Sequence, residues 1–450
     1  MAWWKCVAGE DGFGDGFRRR LLPVMVVASL VMLSLVPYPG WAETKEKQAR
    51  SALGIAAMDF KTCTEFALKH SPYLTKTALE IDIRRLDESD SRWSFVPTLS
   101  VSTYTYSKGT SLSVGTTEYN PLQSYFSLKA QKLVTRIAIL SHLKAISQGV
   151  YEIGQKFLQL GALQRMDAVQ SQIVSIAQQK VAYINSRKAA GTASPLEAQI
   201  ADQELKLARA EREGIAASLG LVVDGLRVLL GLESMRKSEL RLEQVSGQVL
   251  GDFNPSTATL KEPLGHSFLI KIQELKKELQ TLNIKLAYAK FMPSFQFNVR
   301  NADVLTADDT DEYYFGGGIR LLVWDGLSRF RNITRQKMVL RQFESESKTL
   351  LNDVSIQWQT AKGQLRNAES ALKVARSAEV LAQTRVRQSE IRYNADGQNL
   401  PVLLDHRIAY NRTRKATHLK TRDHQLAVLR MRHLSGDLFK SHVNVEQWKE

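Results

Sequence analysis

The chain carries one architectural unit twice. His70-Ser71 is followed 27 residues later by Pro97, and His266-Ser267 is followed 27 residues later by Pro293, so both landmarks repeat at a spacing of 196. Downstream of each proline come short alternating segments, a long helical run, and a turn marked by Gly191-Thr-Ala-Ser-Pro195 or Gly397-Gln-Asn-Leu-Pro401. A period this long, present only twice, excludes a small solenoid and implies tandem duplication.

The N-terminus bounds the compartment. Arg18-Arg19-Arg20, the apolar run Leu21 to Val36 and Gly40-Trp41-Ala42 read as a secretory signal over residues 1–42, cleaved after Ala42. The 16 apolar residues fall short of the roughly 20 that span a bilayer. Cys6 leaves with the signal and Cys63 remains alone, so no disulfide framework is available. No cysteine follows the apolar run, where a lipid anchor would need one. Removing residues 1–42 lowers the formal charge from +15 to +14. The Lys and Arg are interleaved with Glu and Asp along helices, without an aromatic-interleaved cluster, so no nucleic acid partner is expected.

In the mature chain, Asp59 to Lys69 reads as a short helix and Ser71-Pro72 starts another that runs to about Arg92. From Thr98 the period becomes two, with Leu99, Val101, Thr103 and Thr105 opposite Ser100, Ser102, Tyr104 and Tyr106. A polar loop over Ser107 to Glu118 and a second strand over Tyr119 to Val134 complete the expected hairpin, 97–134. The second hairpin, 293–325, alternates Phe295, Phe297 and Val299 with Gln296, Asn298 and Arg300, and has an acidic loop carrying Asp308, Asp309, Asp311 and Glu312. Three-four spacings such as Met166, Val169, Ile173, Ile176 or Leu365, Ala368, Leu372, Ala375 then mark coiled-coil seams. Gly191 stops a helix and Ser194-Pro-Leu-Glu197 is a capping box that restarts the chain. In the second copy Gly397 is the stop and Asn399 stands in for the cap. The run from Leu327 to Ala395 spans on the order of 100 Å at 1.5 Å per residue. Two shorter helices in each copy together match that length, so they are expected to stack end to end beside the long one.

Two hairpins supply four strands, and a membrane barrel closes only with about eight or more. Several chains must therefore share a barrel, with their long helices arranged around the same axis. At this point the chain resembles the TolC family of outer membrane efflux proteins. The matching residues are Ser71-Pro72 and Ser267 at the helix starts, Pro97 and Pro293 entering strands, and the junction Leu321-Leu322-Val323-Trp324-Asp325-Gly326. The tips at Gly191 and at Arg392-Tyr393 to Gly397, and the Leu-Leu-Gly ending at Gly231, complete the match. The first-copy junction Gln131 to Thr135 departs from it by lacking the aspartate-glycine turn.

The resemblance implies an internally duplicated α+β membrane protein. It would be a homotrimer with a shared outer membrane barrel and a periplasmic helical barrel, without cofactor or enzymatic activity. It implies repeats over 43–237 and 264–438, with an equatorial linker over 238–263 and a tail over 439–450. It also implies passive conduction through outer membrane lipid in a tripartite efflux or type I secretion system, with a periplasmic adaptor and an inner-membrane transporter as partners. Gly191, Ser194, Pro195, Gly397 and Pro401 would be adaptor-docking tips. Family members often close the periplasmic end with acidic side chains just past the second tip; here Asp405 lies near that position, with Arg392, Tyr393 and Asp396 as latch partners. The alternative is a periplasmic adaptor, but a chain of that kind would carry one helical hairpin flanked by small β domains. No metal or nucleophile constellation competes: His418 and His424 do not share a helix face, His406 and His433 are isolated, and Gly316-Gly317-Gly318 precedes no phosphate-binding helix.

Overall fold

The computed structural model describes residues 60–106, 109–232, 249–250, 260–301, 313–396 and 400–442. The expected signal, the acidic loop, Gly397 and Asn399 lie outside the described residues. The first copy comprises α1 (Phe60–His70), α2 (Pro72–Trp93), β1 (Leu99–Tyr106), β2 (Gly109–Thr116), α3 (Pro121–Ala189) and α4 (Pro195–Leu230). The second comprises α5 (Lys261–His266), α6 (Phe268–Ala289), β3 (Ser294–Asn301), β4 (Tyr313–Arg320), α7 (Ser328–Asp396), α8 (Leu400–Leu434) and α9 (Asp437–His442). The last of these straddles the repeat boundary expected at 438.

Local chemistry explains the boundaries. Ser71 and Ser267 hold extended backbone immediately before α2 and α6, and Pro72 sits where a missing amide costs nothing. Both helices are 22 residues long. Asn120 caps α3 by accepting from the Gln123 amide at 3.1 Å, and Ser194 caps α4 by accepting from the Glu197 amide at 3.2 Å. Both long helices, α3 and α7, have 69 residues, about 100 Å.

The structure corrects the first hairpin. The Ser107 to Glu118 segment is not a loop: Gly109–Thr116 is β2, and the expected strand over Tyr119 to Val134 is mostly the first turns of α3. Asn120-Pro121 is a helix start of the same kind as Ser71-Pro72, which stops any strand there. All four strands are eight residues long. They form one antiparallel sheet in the order β1-β2-β3-β4.

The helices follow the sheet. α3 packs on α2 and α4 on one side and on α6 and α8 on the other, while α7 packs on α6 and α8. Two short helices thus stack along each long one, as expected. The joints explain the duplicated His-Ser landmarks. Gly231 has φ +72°, and a Cβ there would lie 2.6 Å from the His70 carbonyl oxygen; Gly436 has φ +78°, and its Cβ would lie 2.9 Å from the His266 Cβ. Each His-Ser therefore begins a short helix where the other short helix of its own copy, α4 or α8, runs into a left-handed glycine. Seams of Val169, Ile173, Ala177, Leu205, Ala208 and Ile408, and of Trp358, Ala361, Leu365, Val428 and Met431, bind the helices together. Among the described residues no helix is long and apolar enough to cross a membrane.

Candidate functional site

Register makes the sheet two-faced. Pairing of Leu99 with Thr116, Val101 with Val114, Val114 with Val299, Val299 with Phe315 and Phe295 with Ile319 puts these residues and Phe297 on one side. Ser100, Ser102, Ser113, Gly115, Gln296, Asn298, Gly316, Gly318 and Arg320 share the other. The apolar side is uncovered, with Phe315 81% and Ile319 71% exposed. Contiguous apolar surface of this kind in a monomer marks a contact with lipid or protein. Among the described residues the outer strands β1 and β4 each have a single strand partner. The helical layer is open in the same places: α2 and α4 form one free edge and α7 the other.

Two junctions couple the layers. Between β2 and α3, the Thr116 hydroxyl accepts from the Phe297 amide at 2.8 Å and donates to its carbonyl at 3.2 Å. Tyr119 and Phe295 then exchange backbone bonds at 2.8 Å, so three steps of one chain face two of the other, a bulge that turns the strand. Glu118 pairs with Arg320 beside it. Between β4 and α7, Asp325 accepts from both the amide and the guanidinium of Arg329, each at 3.0 Å. Burial would raise the Asp325 carboxyl, but these bonds outweigh it and hold it below its ordinary value. Gly326 and Leu327 turn the chain with φ of +63° and +62°, which explains the aspartate-glycine signature.

At the far end the structure gives Asp405 a partner from another part of the chain. It accepts from the Lys180 ammonium of α3 at 2.5 Å, and Lys180 also donates to Glu204 of α4 at 2.7 Å. Burial opposes the charge on Lys180, yet the two carboxylates prevail and raise its pKa above the ordinary lysine value. A second set lies nearer the sheet: Lys415 of α8 donates to Gln170 at 2.8 Å and to Glu211 at 2.7 Å, and Gln170 donates to the Ala208 carbonyl. The Lys415 bond holds the Glu211 carboxyl below its usual value. Both sets tie α8 to the α3–α4 hairpin.

Among the described residues no ion pair joins Arg392 to Asp405. Arg392 is exposed, Tyr393 is half-buried, and the Asp396 side chain lies outside the described residues. α7 instead meets α8 through Glu390 and Arg407 at 2.8 Å and through a short Ser389–His406 contact. At the first tip Gly191 has φ +72° and Ser194-Pro195 starts α4; Pro401 lies in the first turn of α8. Sequence reasoning misses Lys180; its signal is its place in the Val169, Ile173, Ala177, Lys180, Ile184 seam, where a buried ammonium needs an anionic partner. No group of three or more His, Cys, Asp or Glu converges as a metal site among the described residues. His433 stacks on Tyr151 at 4.5 Å, and burial pushes its pKa down to about 4.

The described residues thus form an open, two-faced antiparallel sheet prolonged by two 69-residue helices, with the helical layer open at the same edges. Solved structures of this fold exist. The chain superposes on the CmeC outer membrane channel of Campylobacter jejuni with a TM-score of 0.75 at 13% identity, covering 86% of this chain and 88% of that one. The outer membrane protein VceC of Vibrio cholerae gives 0.70 at 15% identity over 84% and 96%. The open-state MtrE outer membrane channel of Neisseria gonorrhoeae gives 0.69 at 15% identity over 86% and 91%. The fold is thus the one the sequence resemblance implied. No protein-family model and no curated protein matches the chain.

Proposed function

We propose that the chain is a protomer of an outer membrane channel whose helices form an exit duct through the periplasm. The observation that carries this is the coincidence of open edges: β1 with α2 and α4 on one side, β4 with α7 on the other. Unpaired strand edges cannot stand in hydrocarbon, so further copies close both layers together. Three copies supply twelve strands, the homotrimer the family resemblance implies. The apolar face meets outer membrane lipid and the Ser, Gly, Gln and Asn face lines the pore. Conduction is passive, and substrates arrive from an inner-membrane transporter through a periplasmic adaptor that engages the tips around Gly191, Ser194, Pro195, Gly397 and Pro401. Nothing in the fold favours the chain as the adaptor itself.

Chirality orients the helices. On an upward-running strand of L-residues, a residue pointing at the viewer bonds to the strand on its right. Phe295 points out of the apolar face and bonds to Tyr119, so α3 lies to the right of β3 and α7 to the left. α8 then directs Arg407, Arg414 and His418 outward, and Asp405, Ala409 and Arg412 into the lumen. Asp405 is the gate carboxylate and Lys180 its latch, with Arg392 of α7 on the same lumenal side and Tyr393 and Asp396 beside the tip. Widening the end moves α8 away from α3 and α4 and breaks the bonds of Lys180 and Lys415. Planar-bilayer recording on the purified mature protein tests both levels. A detergent-stable oligomer with defined conductance is expected, and Asp405→Ala and Lys180→Met should each raise that conductance about twofold or more. A monomer without conductance would end the channel reading, whereas a channel indifferent to both substitutions would end only the gate assignment.

A further inference from the structure

The outward surface of α7 carries a cationic stripe that the channel reading does not use. Arg341, Lys348, Lys362 and Arg376 are separated by multiples of seven residues, and Arg366, Lys373 and Arg387 form a second file at the same interval. All seven are exposed. From 341 to 387 the stripe extends about 70 Å. Glu390 continues the first file, and its 2.8 Å ion pair with Arg407 fixes the stripe on the outward side of the wall. The ion pairs of α7, Arg329 with Asp325 and Glu390 with Arg407, leave the seven cations unpaired among the described residues. The seam of Trp358, Ala361 and Leu365 packs on Val428 and Met431 of α8 instead, and Leu372 and Ala382 are buried.

We propose that this stripe binds the anionic, peptide-crosslinked glycan of the cell wall, through the free carboxylates of its peptide stems. The inference rests on the duct reading, since a tube crossing the periplasm must pass through that polymer. The composition of the stripe selects the partner. A docked helix would bury an apolar seam, but the positions between the cations in the two files are Ser355, Glu369 and Val380. Cations that recur at steps of seven or fourteen residues, without an apolar seam in either file, suit an extended polyanion. Arg414 of α8, bonded to Gln172 of α3, widens the same surface.

The experiment is co-sedimentation of the full-length oligomer with isolated, insoluble cell-wall sacculi. The bound fraction is expected to fall severalfold between about 50 and 300 mM salt, as exposed charges become screened. The combined Lys362→Gln, Arg366→Gln, Lys373→Gln variant should bind at least fivefold more weakly while keeping wild-type conductance, and amidation of the sacculus carboxylates should have the same effect on the wild type. Binding that ignores the triple substitution, the salt or the amidation overturns the proposal, as does salt-sensitive capture of a protein partner without the sacculi. Loss of conductance in the wild type would instead strike the channel reading, and the sedimentation result would stand apart from it.

Discussion

The closing helices of the two copies, α4 and α8, occupy equivalent places and have opposite chemistry. α4 carries six carboxylates and four cations, whereas α8 carries two carboxylates and eight cations. At a shift of 205, the spacing of Gly231 and Gly436, Glu204 and Glu211 of α4 correspond to Ala409 and Ala416 of α8, and Asp405 and Lys415 of α8 correspond to Ile200 and Ala210 of α4. α3 lies between the two helices and presents Lys180 and Gln170 to both. The duplication thus kept the backbone plan and divided the charges, so that one copy is latched to the other through polar bonds. Beside the apolar contact of Ile408, a few partly exposed ion pairs hold α8 until one partner moves.

The copies can first be set against each other at their end-to-end joints. Gly231→Ala forces a side chain into left-handed backbone against the His70 carbonyl, costing about 3 kcal/mol from backbone strain and overpacking together. Gly436→Ala meets the His266 side chain instead and should cost roughly 2 kcal/mol. Denaturant midpoints of the detergent-solubilised protein rank them; the reverse order would mean that the two joints are not equivalent.

The lysines proposed as latches come next. Lys180→Ala strands two carboxylates, but both are partly exposed, so about 2 kcal/mol is expected, below the cost of a fully buried pair. Lys415→Ala, at a wetter site, should cost about 1 kcal/mol. Acid should weaken the second set. The folded-state pKa of Glu211 is depressed from its ordinary 4.5, so its contribution is present above that pH and lost as the pH falls through the depressed value. The raised pKa of Lys180 acts at the other extreme, where its contribution disappears only as the pH rises through a value above 10.5. Conductance recorded across pH 3 to 7 should therefore rise only at the acid end, and less so in Glu211→Gln.

A comparison of the strand-to-helix junctions gives a smaller effect. Asn120→Ala and Asp325→Ala should each cost about 1 kcal/mol as lost caps. Asp325→Ala should also release Arg329, which reaches the Leu322 and Lys290 carbonyls. Asn120→Ala also loses the Nδ2 bond to the Ala289 carbonyl, so equal losses at the two sites would show that the Arg329 contacts are worth no more than that bond.

What could be read from sequence follows the strength of each periodic signal. The long helices, their tips and the second hairpin have apolar or turn residues at every decisive position. β2 does not: Thr110, Leu112, Val114 and Thr116 alternate with Ser111, Ser113 and Gly115, but small polar residues on both faces hid the period. The two residues between β1 and β2, against eleven between β3 and β4, then drew the strand boundary too far along the chain and obscured the Asn120-Pro121 cap. Asp405 was legible as a lone carboxylate past a tip. Its partner was not, because Lys180 lies 225 positions away and only the packing of α8 against α3 brings them together.

The smallest expected difference between the copies at neutral pH concerns His433, whose counterpart at the same shift is Val228. His433 is held between Tyr151 and Ser147 and kept neutral by burial, with a pKa of about 4 against an ordinary 6.5. A depressed histidine favours folding fully above 6.5, and that advantage is lost as the unfolded chain takes up a proton between 6.5 and about 4. His433→Val copies the first-copy residue into the second. It should flatten the stability profile across that window while leaving stability at pH 7.5 within about 1 kcal/mol of wild type. An unchanged slope would show that the burial of His433 contributes nothing to the acid sensitivity of the second copy.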